Sequence, residues 1–271
     1  MFRISGLGDE ISTVFGDQLD LLEAEGIKYI ELRRGIDNKN LLKLSNAEAE
    51  TTKNLLNKRG FSVSAIASSI GKAKITDDFE LHLEQFRRIL FLAKYFETKY
   101  IRIFGYYIAE LKEHSRYRDE VIKRLKIETE LAEKNGLILS LENEGRDLYG
   151  STLEEMLDIM TTINSPNLRI LFDPGNYVYF FQKCPYPEVF NAVVGYIGYI
   201  HIKDIKLGEE KFVVAGEGDA GFKHILLDLN KRKFDGFLSL EPHLGEKKGE
   251  ITGPLNFTRA AKSLKKLLCN V

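Results

Sequence analysis

Short apolar, β-branched or aromatic runs alternate eight times along the chain with longer charged stretches whose apolar residues recur every three or four positions. The short runs read as buried strands and the long ones as amphipathic helices. Strands are predicted over 2–7, 29–32, 61–67, 100–104, 137–141, 168–172, 197–202 and 237–240. Helices are predicted over 15–25, 45–60, 79–96, 118–135, 187–194, 223–231 and 255–268, with a further one opened by Ser151-Thr-Leu-Glu. The stops are chemical: Gly26, Gly60 and Asn135-Gly136 suit left-handed helix ends, and Ser45 with Glu48 suits a capping box. Each strand-plus-helix unit takes roughly 30 to 40 residues, the length of one βα repeat. Strands that alternate with helices pair in parallel. Eight such units within 271 residues, without a Pro/Gly/Ser-rich linker, predict an α/β fold: one (β/α)8 TIM barrel, a single domain over 1–271. An open doubly wound sheet is disfavoured, because no G-x-G-x-x-G follows the first strand.

Composition narrows the partners. Lys and Arg total 39 against 40 Asp and Glu, a net charge of −1, so neither nucleic acid nor an anionic membrane is expected as a partner. The two cysteines, Cys184 and Cys269, make neither a disulfide framework nor a thiolate metal cluster and fit a reducing compartment. The opening MFRISGLGDEIS does not read as a signal peptide, and no apolar run approaches the roughly 18 residues of a membrane span. A cytoplasmic protein is expected.

In a (β/α)8 barrel the chemistry gathers where strands run out into loops. Asp9 and Glu10 follow strand one, Glu31 and Arg33 mark strand two, Ser68, Ser69 and Lys72 follow strand three, and Arg102 lies in strand four. Then LILSLENEG carries Glu142, Asn143 and Glu144; RILFDPGNY carries Asp173 and Asn176; YIHIKD carries His201 and Lys203; LSLEPHL carries Glu241 and His243. Taken singly each has an ordinary use. A strand-end Glu pairs with a cation, Asp before Pro-Gly makes a turn, and His in an apolar run sits in a core. Four successive strand ends offering Glu142, Asp173, His201 and Glu241 point instead to a divalent metal site. That donor set suits Mn²⁺, Mg²⁺ or Co²⁺ and also takes Zn²⁺. Three converging carboxylates without a cation would repel one another.

Substrate contacts are expected from Lys72, Arg102, Asn176, Lys203 and His243, and from Glu217 in the Gly216-Glu217-Gly218-Asp219 loop that shapes the rim. Glu31 is expected either at the pocket mouth or paired with Arg33 or Arg34. His82 and His114 read as ordinary surface residues.

The order SLENEG, LFDPGNY, YIHIKD, GEGD and SLEPH, with YIELR on strand two and GDEIS after strand one, resembles the xylose isomerase-like barrel superfamily. Within it, the closer likeness is to the sugar phosphate isomerase/epimerase group, which includes ketose 3-epimerases, hydroxypyruvate isomerase and inosose dehydratase. The resemblance spans essentially the whole chain. It implies Glu142, Asp173, His201 and Glu241 as ligands of a divalent ion, Mn²⁺ first, and Glu142 and Glu241 as the pair that exchanges the substrate proton. Many relatives carry His three residues after the strand-six Asp, where this chain has Asn176. The apurinic-site endonucleases of the same superfamily use a histidine-rich trinuclear zinc site, which Asn176 and a total of five histidines do not fit. The expected activity is isomerisation or epimerisation of a ketose or sugar phosphate through a metal-stabilised enediolate. A dehydratase on the same site is the alternative, and a non-catalytic sugar-binding barrel the third reading. The expected partner is that small-molecule sugar, with a homo-oligomer left open.

Overall fold

The structure, a computed structural model, describes residues 2–108, 111–245 and 250–271. Ten strands occur among them: β1 Arg3–Leu7, β2 Tyr29–Leu32, β3 Ser62–Ala67, β4 Tyr100–Ile103, β5 Ile138–Glu142, β6 Leu168–Phe172, β7 Ile197–Ile202, β8 Asp204–Ile205, β9 Phe212–Val213 and β10 Phe237–Leu240. All but β8 and β9 close into one parallel barrel in the order β1-β10-β7-β6-β5-β4-β3-β2. Each strand therefore pairs with its neighbours in the sequence, and β1 with the last strand seals the ring. This is the predicted (β/α)8 TIM barrel.

The helices are α1 Phe15–Ala24, α2 Asn46–Lys58, α3 Phe79–Tyr95, α4 His114–Lys134, α5 Leu153–Ile163, α6 Pro174–Phe181, α7 Glu188–Val193, α8 Phe222–Lys231 and α9 Gly253–Leu268. Ser45 and Glu48 form the expected capping box at α2. At α5 the box lies one residue later than read, on Thr152 and Glu155. α4 starts at His114, four residues ahead of the predicted 118. Two elements were not anticipated. α6 follows β6 directly, with Asp173 as its N-cap and Pro174 in its first turn. β8 and β9 form a small antiparallel hairpin beyond β7. None of the described helices is long and apolar enough to cross a membrane.

Apolar residues fall into two separate cores. The larger one fills the space between barrel and helices, with Leu19, Phe86, Ile159, Phe190, Phe222 and Phe257 all fully buried. Each such side chain contributes about 1.5–3 kcal/mol by leaving water. The smaller core, Ala65, Leu171, Tyr199 and Phe237 with Tyr29 and Tyr100 against it, plugs the barrel interior. Its rings meet edge-on or tilted, with Tyr29 and Phe237 centroids 5.0 Å apart. The packed interior leaves the opposite, C-terminal end for polar side chains.

Candidate active site

The strand period of two carries each inward-facing row from the aromatic plug toward the mouth. Phe237 and Ser239 lead to Glu241, Tyr199 leads to His201 and Lys203, Tyr29 to Glu31 and Arg33, Tyr100 to Arg102, Ser140 to Glu142, and Leu171 to Asp173. Glu31, Arg102, Glu142, Asp173, His201, Lys203 and Glu241 are all buried. Charged groups buried this deeply persist only when paired, and the pairing is dense.

Glu142, Asp173, His201 and Glu241 each place a ligand-capable atom within 4.8 Å of the others. His201 Nδ1 lies 3.1 Å from Glu142 Oε1, 3.0 Å from Glu241 Oε2 and 3.9 Å from Asp173 Oδ2. On its other side, His201 Nε2 faces both oxygens of Glu31 at 3.2 Å. Glu31 Oε2 also accepts the Tyr199 hydroxyl at 3.0 Å, and that hydroxyl meets Ser64 Oγ at 2.9 Å. A carboxylate behind a histidine fixes the ring and leaves the opposite nitrogen for a ligand. Glu31 is thus neither at the pocket mouth nor paired with Arg33 or Arg34: it holds the imidazole.

Three cations thread the carboxylates. Arg33 divides its nitrogens among Asp9 Oδ2 (2.7 Å), Glu10 Oε1 (2.9 Å) and Glu241 Oε1 (2.8 Å). Arg102 Nη1 lies 3.2 Å from Glu142 Oε2, and its other nitrogens donate to the Ala67 and Ser68 carbonyls. Lys203 Nζ is 2.9 Å from both Asp173 Oδ2 and Glu241 Oε2. Asn176 links the groups: its Nδ2 donates to Glu142 Oε1 at 3.3 Å and its Oδ1 accepts from Lys203 at 3.2 Å. Asn143 clamps the Asp173 backbone at both ends, 2.8 Å to its N–H and 2.8 Å to its carbonyl. Gly175 permits that arrangement, since a Cβ there would lie 2.2 Å from the Lys203 carbonyl oxygen.

The electrostatics follow from burial opposed by neighbours. Burial alone would raise the Glu142 carboxyl, but the charges of His201 and Arg102 outweigh it and bring it down to about 2. Glu241 goes well below the usual carboxylate range because Lys203 and His201 overcome its burial. Asp173 goes the other way, up to about 6, because burial dominates the pull of Lys203 and Glu142 adds repulsion. Burial would neutralise His201, yet Glu31, Glu142 and Glu241 push it well above the ordinary histidine value. Lys203 stays charged against its burial through Asp173, Glu241 and Glu142.

A divalent ion fits this donor set. Glu142 Oε2, Asp173 Oδ2 and Glu241 Oε2 are buried and accept no well-directed hydrogen bond, although cations lie close to them. Orphaned buried acceptors are costly, and three of them beside a histidine nitrogen match a hard or borderline cation. Glu142, Asp173, His201 and Glu241 would hold it.

Above the cluster opens a cavity of about 300 Å³, with Arg33, Arg34, Lys72, Arg102, Lys203, Glu144, Glu241 and His243 in its wall. Lys72 pairs with Glu144 at 2.7 Å and stacks its ammonium 4.2 Å over Phe104. His243 is partly exposed, 3.3 Å from Glu241 Oε1, and has a left-handed backbone (φ +50°). Glu217 is exposed and outside the described wall of the cavity. Its loop has another use: Gly216 and Gly218 donate their N–H groups to Asp204 Oδ2 at 2.8 and 3.1 Å. His82 and His114 are buried, contrary to the surface expectation. His82 Nε2 accepts the Gly71 N–H and lies 3.3 Å from buried Glu128, while His114 pairs with Glu155.

Residues 19–267 match the family model described as xylose isomerase-like TIM barrel. An uncharacterized protein of Methanocaldococcus jannaschii is 32% identical over 147 residues, 50% of this chain and 47% of that protein. The match thus spans about half the length of that curated relative. Among solved structures, a D-tagatose 3-epimerase-like protein superposes with a TM-score of 0.78 at 20% identity, over 100% of this chain and 98% of the other. The probable 3-DHS dehydratase AsbF, involved in petrobactin synthesis in Bacillus anthracis, gives 0.77 at 21% identity, over 98% and 99%. At these identities the likeness is one of fold.

Proposed function

The chain belongs to the xylose isomerase-like TIM barrel family, and from that premise we propose that it is a divalent-metal-dependent isomerase or epimerase of a ketose or ketose phosphate. The observation that carries the reading is the trio of orphaned carboxylate oxygens beside His201 Nδ1 at the mouth of the barrel. A divalent ion in that set supplies Lewis acidity, making a C–H beside a carbonyl more acidic and neutralising enediolate charge.

The residues divide the remaining work. Glu142 and Glu241 both converge on His201 Nδ1, at 3.1 and 3.0 Å, from the ends of β5 and β10, which makes them the pair of carboxylates available to act on a substrate bound between them. One takes the proton from the substrate carbon and the other returns it. Return to the same carbon from the opposite face inverts that carbon, and return to its neighbour moves the carbonyl. Both carboxyls are held ionised, Glu142 at about 2. They are weak bases, so the substrate must be acidified before either can act. Arg33 pins Glu241 Oε1 and Arg102 faces Glu142 Oε2, which fixes the two bases. Lys203, in the cavity wall, has an ammonium suited to substrate hydroxyls, whereas Asn176 is outside the described wall and its amide is engaged by Glu142, Asn143 and Lys203. The D-tagatose 3-epimerase-like neighbour supports a ketose substrate.

One observation favours a second reading, the dehydratase. Lys203 places a cation 2.9 Å from Glu241. An exchange between two carboxylates does not need it, whereas a departing β-hydroxyl would gain from it. Incubation of the Mn²⁺-loaded protein with a panel of ketoses and ketose phosphates in D2O separates the two. Loss of an α-carbon proton signal without loss of water supports isomerase or epimerase chemistry, and a new enone absorbance supports the lyase. Glu142→Gln and Glu241→Gln should each abolish turnover with the fold intact. Full activity in either variant would remove the mechanism.

A further inference from the structure

Two of the three oxygens left for a metal ion are also the oxygens on which Lys203 sits. Asp173 Oδ1 is engaged as the cap of α6, accepting the Asn176 N–H at 2.8 Å. Glu241 Oε1 is engaged by Arg33 at 2.8 Å, with His243 Nε2 at 3.3 Å. That leaves Asp173 Oδ2 and Glu241 Oε2, and Lys203 Nζ bridges them at 2.9 Å each. The contacts are close but poorly directed, so both oxygens still lack a proper hydrogen bond. An ammonium and a divalent ion repel each other, and both cannot be bound snugly by one pair of oxygens.

Lys203 also has somewhere to go. Lys203 is among the residues that line the 300 Å³ mouth cavity, as is Glu144. Its backbone cannot move, because Gly175 packs directly on the Lys203 carbonyl. A change of position is therefore a side-chain rotation. Its remaining partner, Asn176 Oδ1, lies at 3.2 Å on the rotating ammonium.

We infer that Lys203 is a built-in rival of the divalent ion, yielding Asp173 Oδ2 and Glu241 Oε2 to the ion and turning its ammonium into the mouth cavity. The inference rests on the metal-site reading given above. One consequence follows. The released ammonium then becomes a substrate anchor only in the loaded protein, which ties substrate binding to metal loading.

The test is positional. The purified protein is stripped with chelator, given a brief pulse of acetic anhydride with or without Mg²⁺, and mapped by peptide mass spectrometry. Exposed Lys206 serves as the internal standard. Calorimetry with Mg²⁺ and Mn²⁺ on the same preparation reports binding. If the ion binds and Lys203 labelling rises at least fivefold relative to Lys206, the inference stands. If the ion binds and Lys203 labelling is unchanged or falls, the displacement is wrong while the metal site survives. If neither ion binds, the metal-site reading itself fails and takes the inference with it. A second measurement uses Lys203→Met, for which Mn²⁺ should bind at least tenfold more tightly. Equal or weaker binding by that variant counts against competition.

Discussion

Gly175→Ala sets two rules of thumb against each other. Gly175 lies in the first turn of α6, where Ala is favoured over Gly by up to about 1 kcal/mol on helix propensity alone. The backbone is not in the left-handed region, so no dihedral strain opposes the change. The opposition is spatial. A Cβ there would stand 2.2 Å from the Lys203 carbonyl oxygen and 2.7 Å from its carbonyl carbon. Both atoms are backbone at the end of β7 and cannot rotate away. Restoring an ordinary contact of about 3.4 Å means separating β7 from α6 by on the order of 1 Å. Overpacking of this kind costs about 1–3 kcal/mol, and rigid partners put it at the upper end. The net expectation is a loss of about 2 kcal/mol, or on the order of 5 °C in Tm for a protein of this size. The same separation moves Asp173 relative to His201 and Lys203, so metal affinity should fall too. Urea denaturation and Mn²⁺ calorimetry measure the two effects. Gly16→Ala on α1, where nothing lies within 4 Å of the new Cβ, is the control and should gain about 0.5–1 kcal/mol. A Gly175→Ala protein as stable as the control, with unchanged Mn²⁺ affinity, would refute the close-approach argument.

Three other perturbations have definite signs. An ion at this site needs Asp173 ionised and His201 neutral. Burial holds Asp173 at about 6 and three carboxylates hold His201 well above its usual value, so Mn²⁺ binding should release a proton near neutrality and weaken more steeply as pH falls below about 6; calorimetry in buffers of different ionisation enthalpy counts the protons, and a pH-independent affinity would contradict it. Asp204→Ala strips the acceptor from four backbone N–H groups, those of Ile205, Gly216, Gly218 and Ala220, and should cost about 3–5 kcal/mol in urea denaturation, a cost below 1 kcal/mol being incompatible with that role. Ser140→Ala removes a buried hydroxyl that has no hydrogen-bond partner among the described residues, so stability should be unchanged or rise by up to about 1 kcal/mol, and a marked loss would mean the hydroxyl has a partner after all.

The barrel was legible because its signal is repeated: eight apolar runs at βα spacing constrain one another in a way that a single run cannot. The cluster at its mouth was legible for a related reason, since Glu142, Asp173, His201 and Glu241 fall at strand ends that the closed ring brings together. What escaped depended on partners far away in sequence. His82 and His114 look like the polar side of helices, and only the fold sets them against Glu128 and Glu155, 46 and 41 residues on. Arg33 looks like half of a surface pair until Glu241, 208 residues later, is brought beside it. α6 was hidden by competition between local signals. Asp-Pro-Gly is a good turn, yet Asp and Pro are also good helix starters, and the packing of Gly175 on Lys203 favours the helix. Glu31 was singled out on strand two, but its partner was not, because only the closed ring sets it against His201, 170 residues on.

The inward rows explain why one barrel tolerates so much buried charge. On β10 the row runs Phe237, Ser239, Glu241, and on β7 it runs Tyr199, His201, Lys203. The aromatic end shields the bottom of the barrel, where Arg3 caps Phe237 from below at 4.3 Å. Hydroxyls of Ser5, Ser64 and Tyr199 come next and carry hydrogen bonds up to Glu31. Within the barrel interior, full charges appear only above that layer, and each carboxylate there faces a guanidinium, an ammonium or an imidazole within 3.2 Å. The desolvation cost of each charge is offset by a neighbour one strand away rather than by water. Such a lattice is stiff, because moving one group strands another. Arg33, Arg102 and Glu31 are locked by three contacts each. Lys203 differs, since two of its three partners are the oxygens with acceptor capacity to spare. The compliance of the site is therefore concentrated in the one cationic side chain that can leave its carboxylates without leaving them unpaired, provided another cation takes its place.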